Sequence, residues 1–204
     1  MFSKQKGFTL IEVLVVLAII VVISGFMVVN FRKGEESGKL QRSAQRVVQN
    51  LRKIQSMALS STEFTNPSTG QKEVSAGGYV AYFTKGAGIN TYYIYADFNS
   101  NKSESAGERI ETIQLESGIY FNEIIYIKLP VYQAASFTNI ICKSPDAFIE
   151  FQPPIPPTNR VVVTIAKTGA TCSQNCQRGI SCSADPNCRA VKISKDTGQV
   201  NLIK

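Results

Sequence analysis

The sequence contains neither histidine nor tryptophan. Without histidine, this chain alone cannot form a Ser-His-Asp triad, a Cys-His pair or a histidine-ligated metal site. It also lacks a nucleophile elbow, a phosphate-binding loop and a recognisable pair of catalytic carboxylates. These absences predict that the protein is not an enzyme. Apolar residues make up 44% of the chain, which is near the globular norm and argues against wholesale disorder.

The formal charge of +7 is unevenly distributed over the 204 residues. Residues 32–53 hold seven basic and two acidic side chains, whereas residues 54–204 hold thirteen basic and twelve acidic ones. A nucleic-acid interface needs a basic patch, so the nearly neutral C-terminal part gives DNA only weak support as a partner.

An apolar stretch extends from Phe8 to Val29 and is interrupted only by Thr9, Glu12, Ser24 and Gly25. As a helix it would rise about 33 Å, and a bilayer core is about 30 Å thick. It is longer than the apolar region of a secretory signal peptide, and no A-x-A-like site follows it. A helix that is apolar on every side is also hard to bury in a small domain. The stretch therefore predicts a membrane-spanning helix.

Glu12 is the one carboxylate in this stretch. A charge at the bilayer centre costs roughly 2.5–3.5 kcal/mol and usually has a partner and a function. Alternatively, Glu12 lies close enough to the headgroups to stay hydrated.

The segment KGFTLIE at residues 6–12, together with the apolar stretch, resembles the class III signal of type IV pilins and type II secretion pseudopilins. In that family a membrane-embedded prepilin peptidase cuts after the glycine and methylates the new N-terminus. The resemblance implies a leader at residues 1–7, cleavage between Gly7 and Phe8, and N-methylation of Phe8. It also implies that Glu12 neutralises the Phe8 amine of a neighbouring subunit and so sets the axial register of a filament.

The resemblance further implies a single-pass protein of the inner (cytoplasmic) membrane with an extracytoplasmic head, found in a cell-surface or periplasmic filament after assembly. Its partners would be other pilin or pseudopilin subunits and the prepilin peptidase. The basic residues after the span favour the opposite orientation by the positive-inside tendency. Large domains translocate regardless of flanking charge, so the orientation that the motif implies is the one expected here.

The predicted transmembrane and assembly half of this helix, residues 8–31, is followed by an amphipathic half at residues 32–61. Its apolar residues recur at three- and four-residue steps, which predicts a stripe that packs on the protein's own sheet: Leu40, Ala44, Val47, Val48, Leu51, Ile54 and Ala58. Basic residues lie largely off this stripe, where they could meet anionic headgroups or acidic neighbours. Gly34 and Gly38 predict a flexible or locally melted link between the two halves.

Residues 62–204 form the predicted head. Runs rich in β-branched and aromatic residues predict eight strands: Gly78–Lys85, Thr91–Asp97, Ile110–Leu115, Ile119–Lys128, Ala147–Phe151, Arg160–Ala166, Arg189–Lys195 and Gln199–Ile203. Pro153, Pro154, Pro156 and Pro157 predict a stiff connector. The fold class is therefore α+β, with a long N-terminal helix packed on an antiparallel sheet.

Parts of the head also resemble the GspH/FimT group of minor subunits, mainly in layout. The chain is thus interpreted as a structural subunit, a minor pilin of a type IV pilus-like filament. A minor pseudopilin of a type II secretion system and a pilus-tip DNA-binding subunit for DNA uptake remain alternatives, as does the major pilin.

Two further features suggest sites. Asp97, Asn99, Asn101 and Glu108 have the spacing of a calcium loop, with Lys102 at the turn position that usually holds glycine. A polar hairpin loop explains the same residues, so no cofactor is predicted apart from candidate calcium.

Four of the five cysteines lie in an insertion at residues 172–188: Cys172, Cys176, Cys182 and Cys188. Outside the cytoplasm they predict two disulfides that staple a loop, with the pairing left open and Cys142 able to join the network. The stapled loop would serve either stability or recognition, and zinc is disfavoured by the spacing.

Overall fold

The computed structural model describes Gly7, residues 9–128, 130–153 and 159–203, and for residues 26–33 it describes the backbone without the side chains. The chain divides into two compact units, Met1–Gly38 and Lys39–Lys204.

The helix α1 extends from Leu10 to Leu59 without interruption. Both Gly34 and Gly38 are helical, so the expected melted link is absent from this structure. Each glycine destabilises the helix by about 1 kcal/mol relative to alanine. Because helix formation is cooperative, the helical residues on both sides of the two glycines outweigh this cost.

Twelve strands and one further short helix follow α1 within the described residues. The helix α2 is Gln174–Gln177, and the strands are β1 Glu63–Thr65, β2 Lys72–Val74, β3 Tyr79–Thr84, β4 Thr91–Ala96, β5 Arg109–Gln114, β6 Ile119–Lys128, β7 Val131–Ala135, β8 Phe137–Lys143, β9 Phe148–Gln152, β10 Arg160–Lys167, β11 Cys188–Ser194 and β12 Val200–Ile203. All eight predicted strands are present, with small differences at their ends.

The strands form two five-stranded sheets and a separate hairpin of β1 and β2. Sheet 1 has the order β12-β11-β10-β6-β7, and sheet 2 has the order β5-β4-β3-β8-β9. Every pairing is antiparallel. The predicted α+β class is confirmed, and the head contains two large sheets rather than one.

The core lies among the second half of α1 and one face of each large sheet. All seven residues of the predicted stripe on α1 are buried, and Met57 joins them. They share one cluster with Tyr79 and Phe83 of sheet 2 and with Val163 and Ile193 of sheet 1. The interpretation of the stripe as packing on the protein's own sheets is confirmed.

Two strands of the large sheets, β7 and β8, were not predicted. The strand β8 is buried on both faces, so Thr138 and Asn139 are buried among apolar residues and the sequence shows no alternation. The strand β7 lies at the edge of sheet 1 and is mostly exposed. A strand shows alternating apolar and polar residues only when one of its faces is buried and the other is exposed. Neither β7 nor β8 has such a pair of faces, so neither could be recognised from its pattern.

A buried leucine and an exposed leucine of α1 provide a test of this packing. We expect Leu51→Ala, at a residue that is 1% exposed, to lower the free energy of unfolding by about 2–5 kcal/mol. Leu59→Ala makes the same chemical change at a residue that is 62% exposed and should change it by less than about 0.5 kcal/mol. Urea unfolding of a fragment 39–204, followed by circular dichroism, measures both. Equal losses in the two variants would contradict the buried stripe.

Candidate functional site

The N-terminus of α1 is closed by a reciprocal pair of hydrogen bonds between Thr9 and Glu12. The Thr9 amide and hydroxyl each donate to Oε2 of Glu12 at 2.8 Å, and the Glu12 amide donates to Oγ1 of Thr9 at 3.3 Å. This is a capping box, which satisfies N–H groups that an α-helix leaves unpaired at its start. The carboxylate also lies where the helix dipole favours negative charge. Glu12 therefore has an intramolecular role before any partner binds.

The predicted cleavage bond lies directly before this box. Gly7 is exposed, whereas Phe8 and residues 1–6 lie outside the described residues. Cleavage between Gly7 and Phe8 and methylation of Phe8 therefore stay predictions.

The large apolar side chains described from Leu10 to Ile23 are exposed on every side of the helix. Their exposed fractions range from 49% at Ile23 to 83% at Leu10. A monomer in water rarely leaves so much contiguous apolar surface uncovered. The apolar side chains thus provide a surface that needs a non-aqueous environment or other apolar helices.

Among the residues that the structure describes, none of the helices combines the length and the apolarity that crossing a bilayer requires.

Several basic residues on the second half of α1 contact β5 and the residues that follow it. Arg42 binds Glu116 through Nε at 2.7 Å and Nη2 at 2.8 Å, and Lys53 binds Glu111 at 2.7 Å. Hydrogen bonds from Arg42 hold the pKa of Glu116 below its usual value. Arg46 donates to the carbonyl oxygen of Gln114 at 3.2 Å. The basic face expected to meet headgroups or neighbouring subunits is thus largely paired within the subunit.

The structure pairs four of the five cysteines into the expected two disulfides. Cys172 is bonded to Cys188, and Cys176 is bonded to Cys182. The short helix α2 contains Cys176. Its N-terminus is capped by Ser173, whose side chain accepts a hydrogen bond from the Cys176 amide. Asp185 accepts from the Ser173 amide at 3.1 Å, which ties the start of the segment to its end. The spacing predicted the bridges, but it left the pairing open.

The stapled segment covers the face of sheet 1 that points away from the core. All four bonded cysteines are at most 5% exposed. They pack with Ile125, Val162 and Ala190 in a second apolar cluster. The four cysteines therefore belong to this buried apolar cluster. These contacts are explained if the stapled segment serves stability, which is one of the two roles predicted for it.

Cys142 is a buried thiol in β8 and belongs to the main core. It lies opposite Tyr79 on one side and Ile149 on the other. Burial raises the pKa of the Cys142 thiol to about 12. It does not join the disulfide network.

The candidate calcium loop is arranged around two buried carboxylates. The Asp97 oxygens accept from the amides of Asn101 at 3.2 Å and Lys102 at 2.8 Å. The Glu108 oxygens accept from the amides of Phe98 at 3.0 Å and Ser105 at 2.8 Å. All four carboxylate oxygens thus already have an N–H donor. Burial raises the pKa of Asp97, while the Lys102 amide acts in the opposite direction.

The other residues of this loop also bond within the loop or to the sheet below it. Asn99 and Asn101 both donate to Oγ of Ser105. Lys102 has a φ of 61°, as the turn position of such a loop requires, and its ammonium group pairs with Glu150. Within the described residues, no three His, Cys, Asp or Glu side chains lie close enough together to hold a metal ion. The contacts are those of a self-capped polar loop, and calcium binding stays a prediction.

Thr9 is the residue of the N-terminal site that sequence reasoning missed. The signal was present, because Thr9 and Glu12 have the spacing of a capping box before an apolar run. The pairing of Arg42 with Glu116 had no comparable signal, since 74 residues separate the two.

Comparison with known proteins adds one match. Residues 2–28 match the family model described as the prokaryotic N-terminal methylation motif. No curated protein and no solved structure matches the chain. The match confirms the predicted signal of type IV pilins and pseudopilins, a structural class. The chain therefore carries an N-terminal signal of the kind found in pilin-like and pseudopilin precursors, and this motif implies prepilin peptidase and other such subunits as partners.

The state of the cysteines can be tested by thiol labelling. In the folded, oxidised protein we expect no reaction of Cys142 with a maleimide at pH 8, because the side chain is buried and a thiol with a pKa of about 12 is almost fully protonated there. Denaturation without reductant should release one reactive thiol per chain, and denaturation with reductant should release five. Mass spectrometry of the labelled peptides identifies the residues. Labelling of any other cysteine in the unreduced chain would contradict the assignment of Cys142 as the free thiol.

Proposed function

We propose that the protein is the precursor of a minor pilin of a type IV pilus-like filament. Prepilin peptidase cuts it between Gly7 and Phe8 and methylates the Phe8 amine. The first half of α1 holds the subunit in the inner membrane until assembly and then joins a bundle of like helices. An assembly machine elsewhere in the cell supplies the energy.

The observation that carries this proposal is that the methylation motif includes an uncovered apolar surface. The motif occupies residues 2–28, and the large apolar side chains from Leu10 to Ile23 are all exposed. Lipid and a helical bundle both cover such a surface. Transfer from one to the other exchanges lipid contacts for protein contacts, so its net free energy is small.

The capping box gives Glu12 a defined state before assembly. Its Oε2 already accepts two hydrogen bonds from Thr9, which lowers the cost of keeping the carboxylate away from water. Cleavage after Gly7 creates a cationic amine at Phe8. In a bundle, the amine of one subunit can pair with Glu12 of its neighbour, and this pairing fixes the axial register between them.

The disulfides support an extracytoplasmic head. Disulfides persist in oxidising compartments and are rare in the cytoplasm. With four buried cysteines bonded in the head, we place the head on the outer side of the cytoplasmic membrane.

The same observations support a minor pseudopilin of a type II secretion system as the alternative. Both assignments need the same signal and the same apolar helix, and the GspH/FimT group contains subunits of both kinds. A pilus-tip DNA receptor has less support, because Arg42 and Lys53 on the basic helix face are paired with Glu116 and Glu111.

Mass spectrometry of the mature N-terminus tests the proposal. The protein is isolated from cells with and without active prepilin peptidase. We expect a chain that begins with methylated Phe8 in the first case and an intact leader in the second. Gly7→Val should block cleavage, while Gly25→Val, farther along the same helix, should not. A native protein that keeps residues 1–7 would overturn the proposal.

Substitutions at Glu12 separate the capping role from the charge. Glu12→Ala removes both, whereas Glu12→Gln keeps an oxygen that accepts from Thr9 but removes the charge. At equal expression we expect both variants to enter filaments at least about tenfold less than wild type, because a buried amine loses its counter-charge.

Immunoblots of sheared filaments measure the incorporation, and Glu63→Gln in the head is the control. If Glu12→Gln assembled like wild type, capping alone would explain the role of Glu12.

A further inference from the structure

An open cleft of about 280 Å³ lies at one end of sheet 1. It is lined by Ile127, Lys128, Asn159, Arg160 and Asp196. Because β6, β10 and β11 are adjacent and antiparallel, the end of β6, the start of β10 and the turn after β11 meet at this edge. Neither the motif nor the apolar helix involves this cleft.

The backbone around the cleft is fixed from several sides. Arg160 lies opposite Ile127 in one ladder and opposite Ser194 in the other. The Lys195 amide donates to the carbonyl oxygen of Asn159 at 2.7 Å. Nε2 of Gln55 donates to the carbonyl oxygen of Gly198 at 2.7 Å, which holds the turn that contains Asp196. The walls are thus positioned by main-chain contacts and do not depend on a ligand.

The charges of the cleft are not used within the described part of the chain. Lys128, Arg160 and Asp196 form no ion pair with another described residue. Elsewhere in the head, by contrast, Lys85, Lys102, Lys143 and Arg109 are all paired with glutamates. Ile127, which also lines the cleft, is 5% exposed. The cleft therefore offers two exposed cations and one exposed carboxylate together with one buried apolar side chain.

We propose that this cleft binds a small zwitterion with an oxyanion at one end and a primary ammonium group at the other, as in phosphoethanolamine. The Arg160 guanidinium and the Lys128 ammonium bind the phosphate oxygens, which suit a planar fork and a point charge. Asp196 accepts from the ligand ammonium. The cleft volume lies just below the range of about 300–1,000 Å³ typical of drug-sized ligands, which suits a ligand the size of a headgroup.

The charges that line the cleft should make it bind phosphoethanolamine more tightly than related small molecules. Inorganic phosphate satisfies the two cations but leaves Asp196 next to a second negative charge. Ethanolamine satisfies Asp196 and leaves the two cations without a partner. Phosphocholine has the same net charge as phosphoethanolamine, but its quaternary nitrogen cannot donate a hydrogen bond to Asp196.

The experiment uses the full chain in maltoside micelles and titrates phosphoethanolamine, phosphate, ethanolamine and phosphocholine by calorimetry. We expect phosphoethanolamine to bind about fivefold more tightly than phosphate or phosphocholine, and ethanolamine to bind weakest. Equal affinity for phosphoethanolamine and phosphocholine would overturn the assignment of Asp196, and the absence of any binding would overturn the site.

Variants test the residues one by one. The double variant Lys128→Gln/Arg160→Gln should weaken phosphoethanolamine by at least about tenfold. Asp196→Asn should remove the preference for phosphoethanolamine over phosphate while phosphate binding is kept. Lys72→Gln, at an exposed lysine of β2 that does not line the cleft, is the matched control. Unchanged binding in the double variant, with an unchanged melting temperature, would show an adventitious contact and overturn the proposal.

A competition distinguishes the two sources of this headgroup. Micelles are doped with phosphatidylethanolamine or with phosphatidylcholine, and soluble phosphoethanolamine is titrated again. Weakening by phosphatidylethanolamine alone identifies a lipid headgroup as the occupant. Unchanged affinity in both identifies a soluble zwitterion, and equal weakening by both lipids contradicts the selectivity assigned to Asp196.

Discussion

The exposed apolar side chains of the first half of α1 impose the main constraint on this protein. Twelve large apolar residues described between Leu10 and Ile23 are at least 49% exposed. Burial of each such side chain is worth on the order of 1.5–3 kcal/mol, so water is an unfavourable environment for this segment. The proposed passage from membrane to filament follows from the need to keep this surface covered.

The head can satisfy its own interactions independently of that segment. Among the residues whose side chains the structure describes, the buried apolar residues begin at Leu40, and they lie within the unit Lys39–Lys204. The basic face of α1 is paired with Glu111 and Glu116, and the stapled segment covers the outer face of sheet 1. The described contacts of the head therefore do not depend on what covers the N-terminal segment.

The sequence predicted those parts of the fold that depend on local patterns. The stripe on α1 and the eight strands could be recognised because period and composition are local properties. The strand β8 could not, since its two buried faces remove the alternation. The sequence showed the spacing of a calcium loop, but it did not show that Asp97 and Glu108 accept hydrogen bonds from backbone N–H groups. Which N–H groups reach these carboxylates depends on how the loop folds.

The sequence by itself determined the N-terminal signal and the apolar helix, because these depend on residues within about one helix length of each other. Only the tertiary structure decided which cysteines pair, that Cys142 is buried, and that Arg42 binds Glu116. It also brought Lys128, Arg160 and Asp196 to one cleft from three separate segments. Such contacts join residues that are far apart in the chain, and only the packing of the sheets brings them within bonding distance.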